Sequence, residues 1–204
     1  PGRVGRIAFV RGGLVFADEA RVTRCRAADL KAFASVTPAA DAPTGVDLRA
    51  LAAHPGGAEV LVSFGNRVEF LDPDTLEPLG RMWRTGPGEV LDAAYTPDGT
   101  KVFVGRRDGV AEVREAATGE PVGRPMPHPR AVTAVAVSPD GRLLLTGCRD
   151  GAARFWDAAT GLPVGAPLRH TGPVSHVAFL PGGTHAATGT AAGHVVAWAV
   201  PPGG

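Results

Sequence analysis

The chain has 204 residues, 44% of them hydrophobic and 20% charged, with a formal net charge of +1. That apolar fraction can bury a core and excludes a disordered tail. The near-neutral charge leaves no electrostatic footprint for nucleic acid or anionic lipid, and no apolar run approaches the ~20 residues that cross a bilayer. Glycine and proline, 28 and 19 residues, exclude long helices and call for many short elements joined by turns.

Residues 1–45 read as a degenerate first unit: Val4-Gly5-Arg6-Ile7-Ala8-Phe9, a break at Gly12-Gly13, then Val15-Phe16-Ala17. A second unit, 46–89, opens at Val46, turns at His54-Pro55-Gly56-Gly57 and is one residue short before Leu71-Asp72. The third, 90–131, carries Tyr95-Thr96-Pro97-Asp98-Gly99, Arg107-Asp108-Gly109 and Ala117-Thr118-Gly119. The fourth, 132–173, is the clearest. Val132–Val137 is apolar on both alternating faces and ends at Ser138-Pro139-Asp140-Gly141, which suits a buried strand. Arg142–Gly147 follows as a second strand, Asp150-Gly151 as a hairpin turn and Ala152–Asp157 as a third strand. After Thr160-Gly161 comes Pro163–Leu168, whose prolines suit a sheet edge. The fifth unit, 174–204, repeats the scheme to Trp198-Ala199 and stops before a fourth strand. The turn prolines Pro55, Pro97, Pro139 and Pro181 are each 42 residues apart, so the chain is a repeat of four-stranded antiparallel meanders.

The fourth unit, with His128, Ser138-Pro139-Asp140-Gly141, Thr146-Gly147, Asp150-Gly151, Phe155-Trp156-Asp157 and Thr160-Gly161, resembles the WD-repeat β-propeller family, whose unit of ~40–45 residues carries Gly-His and Trp-Asp signatures. The resemblance is strong over residues 46–200 and weak over 1–45. Pro127 stands before His128 and Arg169 before His170 where the family has glycine. The literal Trp-Asp pair occurs once. The resemblance implies an all-β propeller of about five blades, and the missing fourth strand of the last unit makes an incomplete ring the expectation.

His128, Thr146 and Asp150 hold the inventory of a nucleophilic triad. The resemblance gives the same residues, with Trp156, a structural role: Asp150 holds His128, His128 meets the Thr146 hydroxyl, and the hydroxyl meets the indole N–H. The structural role is preferred. In the next blade His170, Thr188 and Trp198 keep part of the network, with Ala192 in place of the aspartate. In the preceding blade Asp108 remains, but Gly86 replaces the histidine, Val104 the hydroxyl and Arg114 the tryptophan. His54 falls on a turn, and the spacing of His176, His185 and His194 does not suit zinc. No Gly-x-Ser-x-Gly or phosphate-cradling glycine motif occurs. Tyr95 aligns with Val137 and Phe179, and Trp83 with Met126 and Leu168, so these aromatics read as packing. Of the carboxylates, Asp92 alone stands out on the innermost strands of the third to fifth units.

Arg107 and Arg149 precede the turn aspartates of successive blades, a place that the resemblance puts toward the narrow face where partners dock. Arg130 lies in the loop returning to that face. These three arginines form the candidate partner-binding face. The expected function is a non-catalytic protein–protein interaction scaffold of WD-repeat type, a segment of a larger regulatory protein with protein or peptide partners. It needs no cofactor or metal and engages neither nucleic acid nor membrane, and open blade edges leave room for self-association. A ligand- or peptide-sensing propeller attached to a signalling enzyme such as a protein kinase is the alternative, and a propeller hydrolase a further one. Cys25 and Cys148, 123 positions apart, form no close pair and fit a reducing cytoplasm. The 19 Arg against 2 Lys point to a GC-rich, bacterial source.

Overall fold

The computed structural model describes residues 6–10, 13–17, 22–26, 32–36 and 48–202. The chain divides into two compact units, Pro1–Val90 and Leu91–Gly204. The first holds two four-stranded sheets, one of β1 (Arg6–Val10), β2 (Gly13–Ala17), β3 (Val22–Arg26) and β4 (Ala32–Val36), the other of β5 (Leu48–Ala53), β6 (Val60–Phe64), β7 (Arg67–Leu71) and β8 (Pro78–Arg84). The second holds three sheets. They comprise β9 (Val90–Tyr95), β10 (Lys101–Arg106), β11 (Val110–Glu115) and β12 (Pro121–Pro127), then β13 (Val132–Val137), β14 (Leu143–Cys148), β15 (Ala152–Asp157) and β16 (Pro163–Arg169). The last is the three-stranded set β17 (Val174–Phe179), β18 (His185–Thr190) and β19 (Val195–Ala199).

Every sheet is an antiparallel meander of consecutive strands, and no helix occurs among the described residues. These sheets are propeller blades, and the fold is all-β. The predicted openings of the first two units, at Val4 and Val46, lie outside the described residues.

The second strands β6, β10 and β14 are covered on both faces, whereas β18 of the last blade alternates buried and more exposed residues. In β14 every residue is buried. Leu144 packs with Phe103, Val132, Val135 and Trp156, whereas Leu145, on the opposite face, packs with Phe155 and Ala186. A strand sandwiched between neighbours needs apolar residues at odd and even positions alike, which explains the unbroken Leu143-Leu144-Leu145 run. The blades of the second unit meet along their inner strands, β13 packing against β10 on one side and β17 on the other. Glycine permits that approach. A Cβ on Gly147 would lie 2.7 Å from Val174 Cγ1, and one on Gly105 2.8 Å from both Val132 Cγ1 and Val135 Cγ1.

The fourth strands β8, β12 and β16 are exposed edges. β8, β12 and β16 all begin at proline, where a missing N–H costs no ladder bond. Near its end each turns a bulky residue to the core, Trp83 and Met126 buried and Leu168 half-buried, and Val122 and Val164 pack there as well. Trp83 rests 6.2 Å from the Phe70 ring, in the packing role that its alignment implied.

The short second unit loses its residue in the β6–β7 hairpin, where Phe64 pairs with Arg67 across Gly65-Asn66. Beyond that turn, equivalent positions are 43 apart, with Pro78 opening β8 as Pro121 opens β12. The residue equivalent to His128 is therefore Thr85 rather than Gly86. The backbone agrees: Thr85 N donates to Asn66 O at 2.9 Å as His128 N donates to Gly109 O at 2.7 Å. Leu76, in the place of Gly119 and Gly161, is fully buried and carries φ +62°, a left-handed conformation that costs a leucine about 1 kcal/mol.

Candidate functional site

The polar centre of the fourth blade is a chain of three donors. Trp156 Nε1–H donates to Thr146 Oγ1 at 2.9 Å, and His128 Nε2 lies 2.8 Å from the same oxygen. His128 Nδ1 lies 2.9 Å from Met126 O. A carbonyl can only accept, so Nδ1 carries the proton and Nε2 accepts the Thr146 O–H. Burial favours this neutral ring, lowering the His128 pKa to about 4 even though the bond to Met126 O opposes the shift. The rings of His128 and Trp156 sit 5.2 Å apart.

Asp150 corrects one expected link. Its carboxylate bonds Arg154 Nη2 at 2.5 Å and the Ala152 amide at 3.0 Å, while the His128 Nδ1–H that it was expected to hold goes to Met126 O. Burial works to raise the Asp150 pKa, but the Arg154 guanidinium and the Ala152 amide hold it at about 2. Arg154 had no part in the expected network and captures the aspartate because a guanidinium offers a bidentate fork to a carboxylate. A triad reading fails on this geometry. The histidine is oriented by a carbonyl, and the Thr146 hydroxyl is 0% exposed and already bonded to the indole.

In the last blade Thr188 Oγ1 lies 3.0 Å from His170 Nε2 and accepts the Trp198 indole N–H at 2.7 Å. Here the His170 ring meets Trp198 edge-on at 5.6 Å. Trp198 is half-buried where Trp156 is buried, and no carboxylate supports the turn at Ala192.

The third blade solves the same space with charge. Arg106 stands where Cys148 does, Glu112 where Arg154 does and Arg114 where Trp156 does. Arg106 Nη1 donates to Glu112 Oε1 at 2.9 Å, and Arg114 Nε donates to that oxygen at 2.9 Å. Arg106 also forks onto Asp108, with Nε to Oδ1 at 3.1 Å. Burial opposes the Arg106 charge, yet Asp108 and Glu112 raise its pKa above the usual arginine value. Asp108 is thus tied into a four-member ion network rather than serving its turn alone.

The three predicted arginines lie at one end of these blades, all exposed. Arg107 occupies the β10–β11 turn, Arg130 the β12–β13 loop and Arg149 the β14–β15 turn. The loop is stitched between the two turns: His128 N donates to Gly109 O, Arg149 N donates to Ala131 O at 2.9 Å and Cys148 Sγ–H donates to Arg130 O at 3.3 Å. Gly109, at φ +86°, is required here because a Cβ would lie 2.6 Å from His128 O.

The family model "WD domain, G-beta repeat" matches residues 119–157 and 163–199, spans that hold most of the fourth and fifth blades and both His–Thr–Trp chains. Both spans are WD repeats. No curated protein matches this WD-repeat chain. Among solved structures, the crystal structure of the computationally designed Ika4 protein is similar in fold, at 23% identity and a TM-score of 0.66 over 77% of this chain and 93% of that one.

The remaining candidates of the WD-repeat protein stay apart. Among the described residues no three His, Cys, Asp or Glu side chains group as a metal site. His176 lies beside Ser175, and His185 beside Thr184. Asp92 ties two blades together by accepting the Val135 amide at 2.9 Å. The ion network was the site feature that the sequence reading missed. Its signal was the pair Glu112 and Arg114, opposite charges two apart on one face of β11 at the positions of Arg154 and Trp156.

Proposed function

We propose that this WD-repeat protein is a non-catalytic scaffold for protein or peptide partners, docking them on the end that carries Arg107, Arg130 and Arg149. The observation that supports it is the stitching of the Arg130 loop between two hairpin turns by backbone hydrogen bonds, which holds exposed arginines of adjacent blades on a pre-organised surface. Function on a propeller lives in such loops, and exposed arginine is favoured at binding hot spots. The His–Thr–Trp chains, one of them buried and the other half-buried, spend their polar atoms on the fold, which supports a non-catalytic reading. A bacterial cytoplasm suits the Arg-rich composition and the two free, buried cysteines. The test is affinity capture from lysate with wild type and with Arg107→Glu/Arg149→Glu. Loss of specific partners at unchanged melting temperature supports the reading, and an identical partner set overturns it.

A further inference from the structure

We infer that this docking face takes an acidic, Asp/Glu-rich peptide segment of its partner, a reading that rests on the face proposed above. Four segments build this end of the third and fourth blades: 106–110, 128–131, 148–152 and 169–172. They contain Arg106, Arg107, Arg130, Arg149 and Arg169 against Asp108 and Asp150 alone. The charges sort by depth. Asp108 is taken by Arg106 and Asp150 by Arg154, two guanidinium groups that are themselves largely buried. Asp108 and Glu112 balance Arg106 and Arg114. The acids of this end are therefore neutralised from below, whereas Arg130, Arg149 and Arg169 stay exposed, with Arg107 beside them.

Backbone bonds keep the segments that carry these arginines side by side. Arg130 shares the loop stitched to both turns, and Arg169 pairs across the sheet with Ala152, next to the Asp150-Gly151 turn. His170 N donates to Gly151 O at 2.8 Å, fastening the fourth segment to the third. Exposed guanidinium groups clustered on neighbouring segments match carboxylates, which each fork can engage through two parallel hydrogen bonds. An extended acidic segment, with side chains spaced along a flexible backbone, reaches several of them at once.

The experiment is fluorescence anisotropy with a labelled ten-residue Glu-rich peptide, its Gln-for-Glu counterpart and a single-stranded DNA oligonucleotide of equal charge. Wild type is compared with Arg130→Glu/Arg149→Glu/Arg169→Glu and with Arg124→Glu/Arg142→Glu. The latter pair is exposed at the opposite end, where the Arg124 carbonyl lies against the Gly161 turn. The Glu peptide should bind wild type and the opposite-end variant within threefold of each other, bind the triple variant at least tenfold more weakly, and weaken with added salt. Arg130→Gln/Arg149→Gln/Arg169→Gln, which adds no negative charge, should give a loss of the same direction. Equal binding of the Gln peptide, equal losses in both charge-reversed variants, or DNA binding as tight as the Glu peptide's would overturn the inference. The two readings fail separately. If charge reversal removes lysate partners while the Glu peptide does not bind, the acidic class is wrong and the docking face stands. If the peptide binds through the arginines while the partner set is unchanged, the docking reading falls.

Discussion

Gly105, Gly147 and Gly189 occupy the same position in three successive blades, yet alanine should act differently at each. At Gly147 the new Cβ would meet Val174 Cγ1 at 2.7 Å and Val177 Cγ1 at 3.0 Å. Val174 is fully buried and stiff at χ1, and its own Cβ, which rotation cannot move, would lie 3.3 Å from the new atom, so the blades must part. Overpacking of this kind costs about 1–3 kcal/mol. Replacing glycine also restricts the unfolded chain, which returns about 0.4–1 kcal/mol. The net for Gly147→Ala is about 1–2 kcal/mol of destabilisation, and a protein of this size loses about 2–4 °C of melting temperature per kcal/mol. Gly105→Ala, with contacts at 2.8 Å, should match it. At Gly189 the nearest atom is His176 Cβ at 3.5 Å, an ordinary contact, so only the unfolded-chain term remains and Gly189→Ala should be neutral or slightly stabilising. Thermal unfolding followed by circular dichroism in one buffer ranks the three variants. Equal shifts for all three would refute the reasoning, because the steric term would then contribute nothing.

Thr146→Val keeps the shape but strands His128 Nε2 and the Trp156 N–H, at about 1–3 kcal/mol for each buried group; Thr188→Val should cost less because Trp198 is half-buried, and urea midpoints compare the two. Neutral His128, with its pKa of about 4 against ~6.5 unfolded, contributes stability that is fully present above pH 6.5 and is lost as pH falls toward 4, because the unfolded chain binds the proton first. Urea midpoints from pH 7.5 to 4.5 should fall less steeply for His128→Asn than for wild type, and parallel curves would exclude the histidine. Asp150, at about 2, adds a second, more acidic loss below pH 3.8 by the same sign. Arg106→Met leaves Glu112 and Asp108 short of a partner and should cost about 3 kcal/mol or more, whereas Arg149→Met, at an exposed turn of the next blade, should stay within about 0.5 kcal/mol, as denaturant titration of both will show.

Strands and turns were legible because the 42-residue spacing repeats the same physics: a doubly covered inner run, a Pro-Asp-Gly turn and a proline edge. The Trp156–Thr146–His128 chain was legible for the same reason, each residue falling where its equivalents do. What escaped was anything that depends on a partner outside the motif. Arg154 takes Asp150 from the expected histidine because an ion pair outcompetes a neutral ring, and no spacing rule announces which cation will be nearest. Thr85 was hidden by a one-residue deletion whose place in the β6–β7 hairpin is a matter of strand register. The Arg106–Glu112–Arg114 network was invisible to a search for what the motif keeps, since it consists of what replaces it.

That replacement has a bearing on how the chain finds its order. Near-identical repeats invite a strand of one blade to pair inside another during folding, with the same hydrophobic pattern on offer everywhere. Here β11 lodged in the place of β15 would bring Glu112 and Arg114 against Thr146, and the reverse exchange would set Arg106 against Arg154 and Trp156 without Glu112. Each mistake buries a charge without its counterion. The two polar solutions thus label neighbouring blades chemically, and the labels favour the pairing of each strand with its own sequence neighbours.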